Sequence, residues 1–189
     1  GAFEQTKLKE ITLGDAIEII EPYAFYHTLL EKITFGKSIR VIGACAFYET
    51  CLKKLELPNS VTDIESSAFY NTSIIELVIP DSVVNLGYGA FAECVNLLKA
   101  TVGSGISHIP EGSFSQCKSL DKVVFKNEEV SIGDGAFAGC SLGEINMENV
   151  RGSIGLYSGS CRRASRIPEK GSLRLQRKRD QLRFASRKH

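Results

Sequence analysis

A phenylalanine preceded by a small residue returns at Phe3, Phe25, Phe47, Phe69, Phe91, Phe114 and Phe137, at spacings of 22, 22, 22, 22, 23 and 23 residues. Behind each Phe runs a second pattern, apolar-x-x-apolar-x-apolar, from Leu8-Ile11-Leu13 through Ile74-Leu77-Ile79 to Leu142-Ile145-Met147. A third follows at Ile17/Ile20, Ile39/Ile42, Val61/Ile64, Val83/Leu86 and Ile106/Ile109. The extra residue of the two longer units falls just after Phe91 and Phe114, where a loop absorbs it. A unit of this length cannot bury an apolar face by itself. Stacked copies can, and each apolar position then becomes a ladder running through a shared core.

The x-apolar-x-apolar stretch is rich in Ile, Val and Thr, which predicts one β-strand per turn. Parallel strands about 4.8 Å apart would make seven of them a curved sheet on the order of 30 Å long. Gly14, Gly36, Pro58-Asn59-Ser60, Pro80-Asp81-Ser82 and Gly103-Ser104-Gly105 fall just after the strands, where the chain must turn. The expectation is a leucine-rich-repeat solenoid of about seven turns over residues 1–149. It would carry a parallel β-sheet on the concave face and loops or short 3₁₀ turns on the convex face, with helices short or absent. The apolar fraction of 43% suffices for such a core. Neither end shows a polar capping turn, which suggests a piece of a longer array.

Ile42-Gly43-Ala44-Cys45-Ala46-Phe47, Leu57-Pro58-Asn59-Ser60-Val61-Thr62-Asp63-Ile64 and Ile132-Gly133-Asp134-Gly135-Ala136-Phe137-Ala138-Gly139-Cys140 resemble the BspA-type leucine-rich repeat. The resemblance covers about residues 1–149 in seven copies. It implies a right-handed solenoid with a strand-lined concave face, and the adhesive surface proteins that bacteria and some protozoan parasites build from such repeats. It implies no catalytic residues.

Charge divides the chain. Residues 1–150 carry 11 Lys+Arg and 20 Asp+Glu, a net of −9, whereas residues 151–189 carry 12 and 2, a net of +10. Arg40 is the only arginine before residue 151, yet nine of the twelve later basic residues are Arg. Residues 150–189 hold no Phe-centred unit. They read as a disordered basic tail, as sequence foreign to the fold, or as a basic arm for anionic partners. No apolar run reaches the length of a membrane span, and the start Gly1-Ala2-Phe3 shows no targeting segment.

Cys94, Cys117 and Cys140 each sit three residues past the repeat Phe, in the slot held by Thr6, Thr28, Thr50 and Thr72 in earlier turns. A slot shared by Thr and Cys calls for a small group in a tight column, so these thiols read as core rather than chemistry. No C-x-x-C cluster suggests a metal. Cys45 and Cys51 flank one Phe without signalling a disulfide, and Cys161 reads as an exposed thiol of the tail. His27 and His108 occupy different phases of the repeat, so they cannot share a catalytic centre. Gly133-Asp134-Gly135 looks like a piece of a phosphate loop but fills the ordinary slot before Phe137. Neither catalysis nor a cofactor is expected.

Binding is expected on the concave strands, whose intervening residues point outward. There Ile75, Val78, Leu98 and Val124 set apolar side chains beside Lys99, Thr101 and Lys122, where the flanking strands offer only Lys, Glu and Thr. An apolar patch with a charged rim suits a protein or glycan ligand; Val and Ile are also favoured in strands for backbone reasons alone. Glu interleaved among the lysines argues against a nucleic-acid groove. Two readings follow: an adhesion module at the cell surface, resting on the resemblance, and an intracellular scaffold, compatible with unpaired cysteines.

Overall fold

The computed structural model describes residues 1–145; the basic segment 150–189 lies outside the described residues. In chain order the strands are β1 (Glu10–Thr12), β2 (Ile19–Ile20), β3 (Lys32–Thr34), β4 (Val41–Ile42), β5 (Asp63–Ile64) and β6 (Glu76–Val78). They continue with β7 (Asn85–Leu86), β8 (Lys99–Val102), β9 (His108–Ile109), β10 (Lys122–Phe125), β11 (Ser131–Ile132) and β12 (Glu144–Ile145). All pairings are parallel and join each turn to the next. No helix occurs among the described residues.

The solenoid is therefore present, with seven phenylalanine rungs enclosing six full turns. One detail departs from the sequence expectation. Turns carry two strand segments rather than one, except the third, which has only β5: β1, β3, β6, β8, β10 and β12 line the concave face, and β2, β4, β5, β7, β9 and β11 form a second strip. The third apolar pattern (Ile39/Ile42 and its equivalents) supplies that second strip. Its segments are too short for period-2 alternation to reveal them. The Phe-bearing side is built from hydrogen-bonded turns, in keeping with the loops expected there.

Those turns repeat one backbone pattern. The residues two before and two after each Phe have positive φ, as at Cys45 (54°) and Glu49 (54°) around Phe47, or Gly89 (57°) and Glu93 (59°) around Phe91. The left-handed residues tighten the bend so that Phe47 N–H reaches Ala68 O at 2.8 Å and Phe69 N–H reaches Ala90 O at 2.8 Å in the following turn. The backbone is thus paired along the stack on this side as well.

Inside, the phenylalanines form one stack. Centroids lie 5.1 Å apart for Phe47–Phe69 and 5.3 Å for Phe69–Phe91, with rings within 6° and 0° of parallel. Corner serines bind the carbonyl of the preceding turn: Ser60 Oγ donates to Ile39 O at 2.6 Å and Ser82 Oγ to Val61 O at 2.7 Å. This explains the Ser in the L-P-x-S corner, since a buried carbonyl left unpaired is costly.

From Thr28 onward the Thr/Cys column is buried, whereas Thr6 in the first turn is exposed. Thr28, Thr50 and Thr72 donate to the carbonyl of their own turn's Phe, at 2.9, 3.1 and 3.2 Å. Cys94, Cys117 and Cys140 instead donate to the Phe carbonyl of the preceding turn, at 3.2, 3.1 and 3.0 Å. Hydrogen bonding to the Cys140 and Cys94 thiols, together with burial, pushes the Cys117 thiol far up and keeps it protonated. Alkylation of the native protein followed by peptide mapping should label the half-exposed Cys45 and Cys51, with Cys94 and Cys117 reacting only after denaturation. Native labelling of Cys117 would break the assignment of that column to the core.

Candidate binding surface

The concave face assembles all seven sequence-predicted residues into adjoining rows. Strand register places Val78, Thr101 and Val124 side by side, and Lys99 and Lys122 side by side, with Glu76 and Glu144 at the ends of that row. Ile75 and Leu98 are neighbours at the rim, where Leu98 N–H donates to Ile75 O at 2.8 Å. Exposure separates them: Ile75 is 45%, Val78 56% and Leu98 50% accessible. Lys99 is exposed, whereas Thr101, Lys122 and Val124 are half-buried, so the apolar patch centres on the fourth and fifth turns.

Most of the surrounding charge is engaged within the face. Lys32 pairs with Glu10 at 3.7 Å, Lys54 with Glu56 at 2.6 Å and Lys122 with Glu144 at 2.8 Å. Such exposed pairs add little stability. They do balance the face electrically around the patch.

A cleft of about 580 Å³, which sequence reasoning missed, opens beside Val78, with Leu55, Leu57 and Pro80 on its walls. Across its edge Asp81 accepts Ser104 N–H at 2.9 Å and Lys126 Nζ at 3.1 Å, spanning the turn between. The backbone bond from Ser104 and the bond from Lys126 hold the Asp81 carboxyl below its usual range. The cleft lies where the concave sheet is interrupted: the third turn contributes only an isolated bridge, Lys54 to Glu76. A signal was present. Lys53-Lys54-Leu55-Glu56-Leu57 has no β-branched residue, unlike the strands on either side.

The histidines lie on different faces. His27 Nδ1 is 3.1 Å from Glu49 among the Phe-side turns, and His108, on β9, has Nδ1 2.7 Å from Ser131 Oγ. Asp63, two turns away in the same column as His108, is engaged by Asn85 at 2.6 Å, so it does not orient that imidazole. No group of three or more metal-ligating side chains exists among the described residues. Among them also, no helix is long and apolar enough to cross a membrane.

Parallel one-rung-per-turn strands, a stacked aromatic core and a strand-lined presenting face define a leucine-rich-repeat solenoid. The chain belongs to the BspA type leucine-rich repeat family, whose profile it matches in six copies over residues 1–111 and 40–161. The fold is similar to the crystal structure of the pneumococcal vaccine antigen PcpA, with a TM-score of 0.60 and 25% identity, over 69% of this chain and 37% of that one. It is also similar to a leucine-rich repeat protein from Bacteroides ovatus, with a TM-score of 0.57 and 22% identity, over 80% of this chain and 46% of that one. A leucine-rich repeat protein of T. pallidum matches with a TM-score of 0.51 and 24% identity, over 70% of this chain and 77% of that one. The chain thus spans less than half the length of the first two. A search of curated proteins finds no match. The family and these neighbours are non-catalytic repeat proteins, generally protein-binding.

Proposed function

We propose that this chain is a non-enzymatic adhesion module that engages a protein ligand through the concave face, displayed at the cell surface. The observation that carries the reading is the exposed trio Ile75, Val78 and Leu98, set on the concave sheet beside a cleft of mixed apolar and polar walls. Side chains of this size at about half exposure form the core of an interface once a partner excludes water. The charge pairs around the patch leave it electrically neutral, which favours an apolar protein anchor over a charged glycan. The surface location draws on the family and on the pneumococcal antigen that shares the fold.

The test is binding of the chain to a panel of extracellular-matrix proteins and glycans beside an Ile75→Glu/Val78→Glu/Leu98→Glu variant. Saturable protein binding by the parent, weakened at least tenfold in a variant that melts normally, is the expected result. Equal binding by the two would remove the concave patch from the function. An intracellular scaffold is the second reading, favoured by the five unpaired cysteines among the described residues. Labelling intact cells with a membrane-impermeant reagent separates the two, since only a displayed protein is tagged.

A further inference from the structure

The Phe-bearing side, away from the concave face, carries a second ordered surface. Tyr26, Tyr48 and Tyr70 each follow a core Phe and stack outside it, with centroids 5.0 Å apart for the first pair and 4.5 Å for the second. Tyr23 and His27 pack edge-on against Tyr26, and the column begins with Glu4 in the turn before it. At the other end it stops abruptly, because the same column continues as Ala92, Ser115 and Ala138. The Tyr48 and Tyr70 rings are within 8° of parallel, so the second face of Tyr70 turns toward the next turn, where the column holds the small, buried Ala92 beside the half-buried Glu93. The result is a shelf: a half-buried aromatic ring standing over a strip of small residues.

Charge on this side is of one sign. The Phe-bearing segments 1–6, 21–28, 43–50, 65–72, 87–94, 110–117 and 133–140 contain no Lys or Arg and seven carboxylates. Among them Glu49 pairs with His27, and Glu65 accepts Ala44 N–H at 2.8 Å. Glu93, one residue past Ala92, has no ion-pair partner among the described residues. Burial and the negative charges of Glu93 and Glu49 push the Tyr70 phenol above its usual range, so their field reaches the ring.

We propose that the shelf formed by Tyr70, Ala92 and Glu93 is a docking site for an arginine side chain on a basic, extended segment of a partner protein. A guanidinium is planar, stacks on an aromatic face and pairs with a carboxylate at its edge, whereas a lysine ammonium does only the last of these well. The excess of carboxylates over Lys and Arg on this side attracts a cationic chain and repels an acidic one. This site shares no residue with the concave patch, so either can fail without the other.

The experiment titrates the whole chain with a peptide alternating Arg and Gly, and with the same peptide carrying Lys for Arg. The parent should bind the Arg peptide more tightly, with binding weakening as salt rises. Tyr70→Ala should lower Arg-peptide affinity about fivefold and abolish the preference over Lys, while Tyr70→Phe retains both. Glu93→Gln should weaken binding about threefold, and Glu10→Gln on the concave strand β1 should leave it unchanged. Absence of binding by the parent, equal binding of the Arg and Lys peptides, or full binding by a folded Tyr70→Ala variant would each overturn the site.

Discussion

Replacement of Phe69 by glutamate is expected to abolish the cooperative melt of the central turns. Phe69 is inaccessible to solvent, and its ring is sandwiched at 5.1 Å and 5.3 Å between those of Phe47 and Phe91. Losing the buried ring removes about 2–3 kcal/mol. A carboxylate in its place has no counter-charge in an apolar column and costs several kcal/mol more. In a solenoid each turn is held by its neighbours, so the damage spreads to the turns on either side. Phe3 provides the internal control: it occupies the same column but is 40% exposed at the first rung, so Phe3→Glu should barely move the transition. Circular dichroism melts of the two variants check this, and an unchanged melt for Phe69→Glu would mean that the phenylalanine column is not the core.

Two glycines only two residues apart should answer very differently to the same substitution. A Cβ on Gly87 would lie 2.3 Å from Ser66 N and 2.4 Å from Glu65 C, backbone atoms of the preceding turn that cannot swing aside. The turns must therefore move apart locally, and Gly87→Ala should cost about 3 kcal/mol. Gly89 has room, with nothing nearer than 3.7 Å, but its φ of +57° disfavours any side chain. Gly89→Ala should cost only about 1 kcal/mol. Denaturant titrations rank them, and a larger loss at Gly89 would show that turn-to-turn approach is not what Gly87 provides. The two corners facing Gly87 and Gly43 also explain an alternation along that column. It reads Glu21, Gly43, Glu65, Gly87, Pro110 and Gly133, so that each close approach is met by a residue without a side chain.

Seven residues chosen for a binding face lie together on it because strand register follows directly from the repeat. Once Leu77, Ala100 and Val123 are assigned to one buried rung, Val78, Thr101 and Val124 must share the next exposed one. How exposed each would be was not legible. Thr101 and Val124 are half-buried and Val78 is not, a difference that depends on the side chains around each position. The cleft by Val78 was legible only in part: the lack of β-branched residues in 53–57 marked the strand lost in the third turn, but Lys126 reaching over one turn to Asp81 left no trace in the sequence. The tyrosine stack illustrates the same division. Its column could have been read from Tyr26, Tyr48 and Tyr70, but the shelf at its end depends on ring orientation.

What the amino-acid order determined alone is the architecture. A strict 22- to 23-residue period leaves each unit unable to bury its apolar positions except against copies of itself, and that requirement dictates the stack, the parallel strands, the Phe ladder and the buried Thr/Cys column. What only the tertiary structure decided is the surface: which thiols bond to which carbonyls, where the concave sheet breaks, and which aromatic faces and carboxylates are left without partners. Periodicity specifies which positions point inward, because burial is collective and repeats with the chain. Recognition resides in the positions that point outward, where each side chain's environment is set by neighbours 22 or 45 residues away.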